Sequence, residues 1–64
     1  MQIEYTFPNT KDMSQCQIIG TSSSMESAKE NALWEYNSMR AHDGLKPINF
    51  MPRGTTAKII KKND

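Results

Sequence analysis

The sequence contains few of the residues that build metal sites, disulfides and catalytic centres. One cysteine, Cys16, and one histidine, His42, occur among 64 residues. An internal disulfide is therefore excluded, and a zinc site has too few ligands. Cys16 has no basic neighbour in sequence that would lower its pKa, and His42 lies where a histidine interacts with the free carbonyls of a helix end. We therefore expect no catalysis, no metal and no cofactor.

A long apolar segment is also absent. The longest stretch without a charged residue, from Met13 to Met25, is rich in serine, glutamine and threonine, and no basic segment followed by an apolar one opens the chain. We expect neither a membrane span nor a secretory signal, and with a single cysteine we expect the protein in the cytoplasm. Apolar residues make up 36% and charged residues 23% of the chain, which indicates one compact domain over residues 1–64.

Alternating apolar residues predict a first strand that ends at Pro8. Ile3, Tyr5 and Phe7 alternate with polar residues, which is the period of a strand with one apolar face. After a polar turn or loop, residues 16–20 form a short β-prone run and predict a second strand.

A helix is predicted from Ser23 to about His42. Ser23 and Glu26 have the spacing of a capping box, and Gly44 lies where a left-handed residue commonly ends a helix. At 100° per residue the apolar side chains fall on one stripe that should pack on the sheet. The stripe consists of Met25, Ala28, Ala32, Tyr36 and Met39, flanked by Leu33.

The last third of the chain predicts an ordered loop and a final strand. Residues 45–54 hold two prolines and a glycine around Ile48, Phe50 and Met51, which favours an ordered loop or a short extended piece packed over an edge. Residues 55–62 are rich in β-branched side chains and predict a strand. The fold class is α+β, a small three-stranded, mainly antiparallel sheet packed against one long helix in the order β-β-α-β. If the second and last strands are parallel neighbours, the helix is their right-handed crossover.

Trp34 is the candidate for a contact with another molecule. It lies about 180° around the helix from Met25, on the side opposite the apolar stripe. Large aromatic residues outside a core are enriched at binding hot spots, which favours a protein partner or a second copy of the chain. The alternative is that the loop around Phe50 folds back and covers Trp34. The expected contact residues are Trp34, Glu30, Asn37, Phe50 and Met51.

The charge changes sign along the chain. Up to Pro52, four basic residues stand against six acidic ones, a net charge of −2, whereas residues 53–64 carry four basic and one acidic residue, a net charge of +3. A basic strand can face phosphates, so nucleic-acid binding is the alternative function. Its expected contacts are Arg53, Lys58, Lys61 and Lys62. The other explanation is that lysines on an edge strand discourage aggregation.

Several short stretches resemble the HicB antitoxin family. They are Phe7-Pro8-Asn9, Cys16, Gly20-Thr21, the helix start from Glu26 to Ala32, Asp43-Gly44 and Pro47-Ile48. The resemblance covers residues 5–48 and implies a partial double-stranded-RNA-binding-like fold that works by occluding a partner protein. The chain departs from the family in a short or absent leading strand and a missing Leu-Pro-Gly motif. We expect no DNA-binding module, so autorepression is not implied.

The leading hypothesis is a non-enzymatic protein-binding module. It would be a small inhibitor or modulator of the kind that phages and mobile elements encode, acting in the host cytoplasm. Nucleic-acid binding through the last strand predicts a steep salt dependence. A third hypothesis is a structural subunit that folds only as a homodimer, which predicts concentration-dependent melting.

Overall fold

The computed structural model describes residues 1–62 and contains three strands and one helix in that range. They follow in the order β1 (Gln2–Phe7), β2 (Cys16–Thr21), α1 (Met25–His42) and β3 (Thr56–Lys61). The α+β class and the β-β-α-β order predicted from the sequence are confirmed. Each strand begins and ends within one residue of its predicted bounds.

The sheet has β1 in its centre, in the order β2-β1-β3. Both neighbours run antiparallel to β1, and Tyr5 lies opposite Ile18 on β2 and Ala57 on β3. Strands β2 and β3 are therefore parallel to each other but are separated by β1, so the sheet does not place them side by side. Strand β1, in which apolar and polar residues alternate most strictly, is thus the central strand.

Helix α1 begins one residue later than the capping box predicts. Ser24 is the N-cap, with extended backbone dihedral angles, and its hydroxyl oxygen accepts a hydrogen bond from the backbone N–H of Ser27 at 3.1 Å. Ser23 is therefore not the N-cap. Glu26 lies in the first turn, where a carboxylate interacts favourably with the helix dipole.

The C-terminus of α1 ends in a Schellman motif. The N–H of Leu45 donates to the carbonyl of Arg40 at 2.8 Å, and the N–H of Gly44 donates to that of Ala41 at 3.0 Å. Gly44 has a φ of 78°, in the left-handed region that glycine adopts without steric cost. The predicted role of Gly44 is confirmed, and the motif directs Leu45 back towards the core.

The core lies between α1 and the two strands β1 and β2. Ala28, Ala32 and Tyr36 are fully buried, and the ring of Tyr36 stacks on that of Phe7 with centroids 4.0 Å apart and planes 3° from parallel. Gly20 lies directly beneath the helix, so a side chain there would overlap the carbonyl oxygen of Ala28. Small residues on both elements thus bring the helix close to β2.

The apolar stripe of α1 is narrower than predicted. Met25 and Met39 were expected in the interface, but their side chains are 54% and 38% exposed. The buried row advances four residues at a time, which is 40° more than one full turn, so it drifts around the helix. The drift carries the row onto Arg40, which is buried, and leaves Met39 outside.

Two loops complete the core. Met13 is buried, although its loop was predicted to be polar, and a turn with Thr10 holds it: the N–H of Thr10 donates to the Met13 carbonyl at 2.9 Å. In the loop between α1 and β3, the half-buried Leu45, Ile48 and Met51 pack against the core at intervals of three residues. The prediction that this loop packs against the rest of the fold is confirmed.

Candidate partner-binding surface

Trp34 projects from α1 on the side opposite the buried row. The residue is 73% exposed, and its carbonyl, inside α1, also accepts a hydrogen bond from the Ser38 hydroxyl at 3.1 Å. The loop between α1 and β3 therefore does not cover the indole ring. Of the two explanations that the sequence left open, intramolecular cover does not occur.

Asn37 fastens the loop to the flank of the helix instead. Its Nδ2 group donates to the carbonyl of Ile48 at 2.8 Å, and its Oδ1 atom accepts from the N–H of Ile48 at 2.9 Å. The amide thus forms hydrogen bonds with both backbone groups of one residue, as a neighbouring strand would. Asn37 was expected to contact a partner, and within the fold it holds the loop in place.

Phe50 and Met51 follow Ile48 in the loop, and they differ in exposure. The side chain of Phe50 is 73% exposed, whereas Met51 is half-buried against the core. Both line a depression of about 230 Å³ between the loop and the helix, together with Glu30 on α1. We call Trp34, Phe50 and this depression the aromatic surface.

The structure brings three of the five expected contact residues together in one depression, which Trp34 and Asn37 do not line. Glu30, Phe50 and Met51 line one depression, and Trp34 follows Glu30 by four residues, which places both on neighbouring positions of the exposed helix side. Asn37 holds the loop that carries Phe50. All five expected contact residues therefore belong to α1 or to the loop fastened on its flank.

Arg40 was missed by the sequence reasoning. It is 9% exposed, its Nε atom donates to the carbonyl of Lys46 at 2.7 Å, and a terminal nitrogen lies 3.9 Å from a carboxylate oxygen of Asp12. The side chain thus links α1 to the loop before β3 and to the loop between β1 and β2. The sequence did contain a signal for its burial, because Arg40 continues the four-residue spacing of Ala28, Ala32 and Tyr36.

The four basic residues of the alternative function are all exposed. Arg53 lies in the turn before β3, Lys58 and Lys61 lie on β3, and Lys62 follows it. Lys58 is directly opposite Glu4 on β1, so an acidic side chain lies beside the middle of the basic strand. Nucleic-acid binding by this strand stays a prediction.

Cys16 and His42 do not have the properties of a reactive thiol–imidazole pair. Burial raises the pKa of the Cys16 thiol, which keeps it protonated at neutral pH, and a nucleophilic cysteine requires the opposite shift. His42 is exposed at the last residue of α1. Within residues 1–62 no cluster of three histidine, cysteine or acidic side chains could hold a metal ion, and α1 is not apolar enough to cross a membrane.

Comparison with known proteins yields no relative. No family model, no curated protein and no solved structure matches the chain. The resemblance to the HicB family therefore stays a prediction, and the function is argued from the geometry of the surface.

Proposed function

We propose that the protein is a non-enzymatic protein-binding module that holds its partner through the aromatic surface. The observation that carries the proposal is the exposure of Trp34 and Phe50, each 73% accessible in so small a domain. Aromatic rings supply large apolar area at a low cost in conformational entropy, which is why they dominate binding hot spots. Two exposed aromatic rings do not stabilise the fold. Burying them against a partner would contribute several kcal/mol to the free energy of binding, on the order of 2 kcal/mol each.

The anchoring of the loop supports a preformed surface. The two hydrogen bonds between Asn37 and Ile48 fix the backbone two residues before Phe50, and the half-buried Met51 fixes it one residue after. Only the side chain of Phe50 then has to be ordered on binding. A surface whose backbone is already in place loses less entropy on association than a mobile loop would.

The dimensions of the domain favour action by occlusion. A standard interface buries about 800 Å² on each partner, roughly a sixth of the 4725 Å² surface of this protein. The domain measures 39 × 17 × 15 Å, so its long side can cover a cleft on a larger protein. We therefore propose a small inhibitor or modulator, of the phage or mobile-element accessory kind and acting in the cytoplasm, in line with the resemblance to HicB proteins.

The test is a capture experiment with matched variants. Tagged wild-type protein, Trp34→Ala, Phe50→Ala and the control Ile19→Ala are incubated with nuclease-treated lysate from host cells, after circular dichroism has established that each is folded. Ile19 is a suitable control because it is an exposed apolar residue, 50% accessible, on the sheet face away from α1.

The expected result is one protein that wild type and Ile19→Ala retain and both aromatic variants lose. Titration with the purified partner should then give an affinity at least about 30-fold weaker for Trp34→Ala, the value for a hot-spot residue of about 2 kcal/mol. Retention by both aromatic variants contradicts the proposal. If untreated lysate yields only nucleic acid, and this binding falls steeply with salt, the result favours the basic strand instead.

A further inference from the structure

The side of the sheet that packs on α1 is only partly covered. Within residues 1–62, α1 packs on β1 and β2, no Cα atom of α1 lies within 8 Å of one in β3, and the six residues of β3 are all exposed. Cross-strand partners share a face of the sheet. Ala57 and Ile59 lie opposite Tyr5 and Ile3, so they point to the helix side, where Ile59 is 40% accessible. One strand of the sheet therefore has an apolar side without a cover.

A groove runs along this uncovered side. It has a volume of about 510 Å³ and lies between the first turns of α1, the loop before β3 and β3 itself. Its apolar lining includes Tyr5, Met25, Met51 and Ala57. The exposure of Met25, which the helical pattern did not predict, results from this opening in the fold.

The backbone of β3 is also available at this edge. The N–H of Ser22 donates to the carbonyl of Met1 at 3.1 Å, so these two residues form a hydrogen-bonded pair between β2 and β1. Bonded pairs alternate along an antiparallel ladder, so odd-numbered residues of β1 bond to β2 and even-numbered ones to β3. On β3, Thr56 and Lys58 face β1, and Ala57 and Ile59 direct their N–H and C=O groups outward. Beyond Ile59 the register shifts, so that Lys61 lies opposite Gln2. No strand lies beyond β3 in the described part of the chain.

The charges on β3 select the kind of strand that can pair there. Lys58 points to the sheet face away from α1, and Lys61 and Lys62 follow at the end of the strand. A second copy of β3 would bring lysines together, which is unfavourable between adjacent strands. Acidic side chains on an added strand would instead lie beside Lys58 on the side away from Glu4, which is opposite Lys58 on β1. The lysines thus disfavour self-pairing and favour an acidic partner.

The other edge of the sheet is less open. The backbone of Thr21 on β2 points outward by the same alternation, but its carbonyl already accepts a hydrogen bond from Asn31 of α1 at 2.8 Å. The helix covers Ile18 and Gly20, which are buried, so β2 offers no apolar groove beside its edge. A strand added there would gain backbone hydrogen bonds and could contact the exposed Ile19 on the face away from α1, but it would find no apolar groove on the helix side.

We propose that β3 receives an extended segment of a partner protein in which apolar residues alternate with acidic ones, added to the sheet as a fourth strand. The apolar residues of the segment pack on the helix side against Ala57, Ile59 and the groove, and the acidic residues lie on the other face beside Lys58. Backbone hydrogen bonds to Ala57 and Ile59 hold the segment, and the alternation gives specificity. The groove shares Met51 with the depression of the aromatic surface but does not include Trp34, and the proposal goes beyond the proposed function.

The probe for the test is a fluorescein-labelled peptide of four Val-Glu repeats, titrated with protein while fluorescence anisotropy is recorded. Ala57→Pro removes an outward N–H from β3, and Gln17→Pro is the matched control because it removes an outward N–H from β2. Proline is tolerated on an edge strand where the N–H faces solvent. Circular dichroism and amide NMR spectra establish that both variants are folded.

We expect saturable binding to wild type and Gln17→Pro with the same Kd, and a Kd at least about tenfold higher for Ala57→Pro. Lys58→Glu should weaken binding similarly, and a Val-Lys peptide should not bind. Should Ala57→Pro unfold, a Val-Glu peptide methylated on alternate backbone nitrogens tests the same contact, with the same expected loss. Trp34→Ala should leave the Kd unchanged, which separates this surface from the aromatic one.

Four outcomes overturn the proposal. They are no saturable binding of the Val-Glu peptide below about 1 mM, equal binding to Ala57→Pro, equal binding of the Val-Lys peptide, and loss of binding with Gln17→Pro alone. The last would assign the strand addition to β2. None of these results bears on capture through Trp34, so the two proposals fail independently.

Discussion

Replacing Gly20 by alanine tests the close packing of α1 on β2. The added Cβ would overlap the carbonyl oxygen of Ala28, and would lie 2.9 Å from the carbonyl carbon of that residue and 3.3 Å from the Cβ of Ala32. Helix backbone cannot rotate away as the end of a flexible side chain can. The helix must therefore lift from the sheet, or β2 must move away from it.

The expected loss of stability is large relative to the total. Overpacking a core costs about 1–3 kcal/mol, and we expect about 3 kcal/mol here because the conflict is with backbone and also disturbs the stacking of Tyr36 on Phe7. A domain of this size has a free energy of unfolding of roughly 3–10 kcal/mol. Each kcal/mol corresponds to about 4–8 °C in Tm, so Gly20→Ala should melt roughly 12–24 °C below wild type.

Thermal unfolding followed by circular dichroism measures the effect, and Gly44→Ala is the control. Gly44 has a φ of 78° and nothing within 4 Å of an added Cβ, so alanine there meets conformational strain without overlap. That strain costs about 1–2 kcal/mol, clearly less than the conflict at Gly20. A Gly20→Ala variant that melts within about 4 °C of wild type would refute the close contact.

Three further predictions concern single side chains. The Tyr36 hydroxyl is buried without a hydrogen-bond partner in the described structure, so Tyr36→Phe should raise the free energy of unfolding by about 1 kcal/mol in urea titrations; a decrease would show that the hydroxyl is satisfied. Burial raises the pKa of Cys16, so alkylation by iodoacetamide at pH 8 should be slower than in the urea-unfolded chain; equal rates would contradict its burial. Burial also raises the pKa of Tyr5. The folded state therefore holds this proton to a higher pH than the unfolded state, and stability should fall as the pH rises above about 10. Tyr5→Phe should reduce this loss when the free energy of unfolding is measured below and above that pH.

The elements of the fold were predictable because their signals are local. The alternation of Ile3, Tyr5 and Phe7 defines β1, and the strand ends where Pro8 removes a backbone donor. Gly44 ends the helix through its own backbone conformation. Each signal requires only neighbours in sequence, so the class and the order of elements follow from the chain alone.

The arrangement of the elements depends on contacts that no local pattern contains. Ser23 and Ser24 have the same side chain, so the spacing to Glu26 favoured Ser23, whereas in the structure the hydroxyl of Ser24 caps the helix. Met39 and Arg40 differ by one position, and the drift of the buried row selects the charged residue because Lys46 and Asp12 supply its partners. Burial of a charge is acceptable only with such partners.

The residues of the candidate surface could be predicted from the sequence, but their arrangement in space could not. Helical angles placed Trp34 outside the core, but they could not decide whether the loop covers it. The decision depends on Asn37, whose amide binds the backbone of Ile48 and holds the loop on the flank of the helix. The opening beside β3 was not foreseen, because it results from a sheet three strands wide under one helix.

Met51 lies between the two depressions of this domain. Its half-buried side chain lines the depression of the aromatic surface and also the groove beside β3. A ligand that shifts this flexible thioether in one depression changes the shape of the other. Because thermodynamic linkage is reciprocal, a partner bound in the depression beside Phe50 and a strand bound at β3 would alter each other's affinity by the same factor.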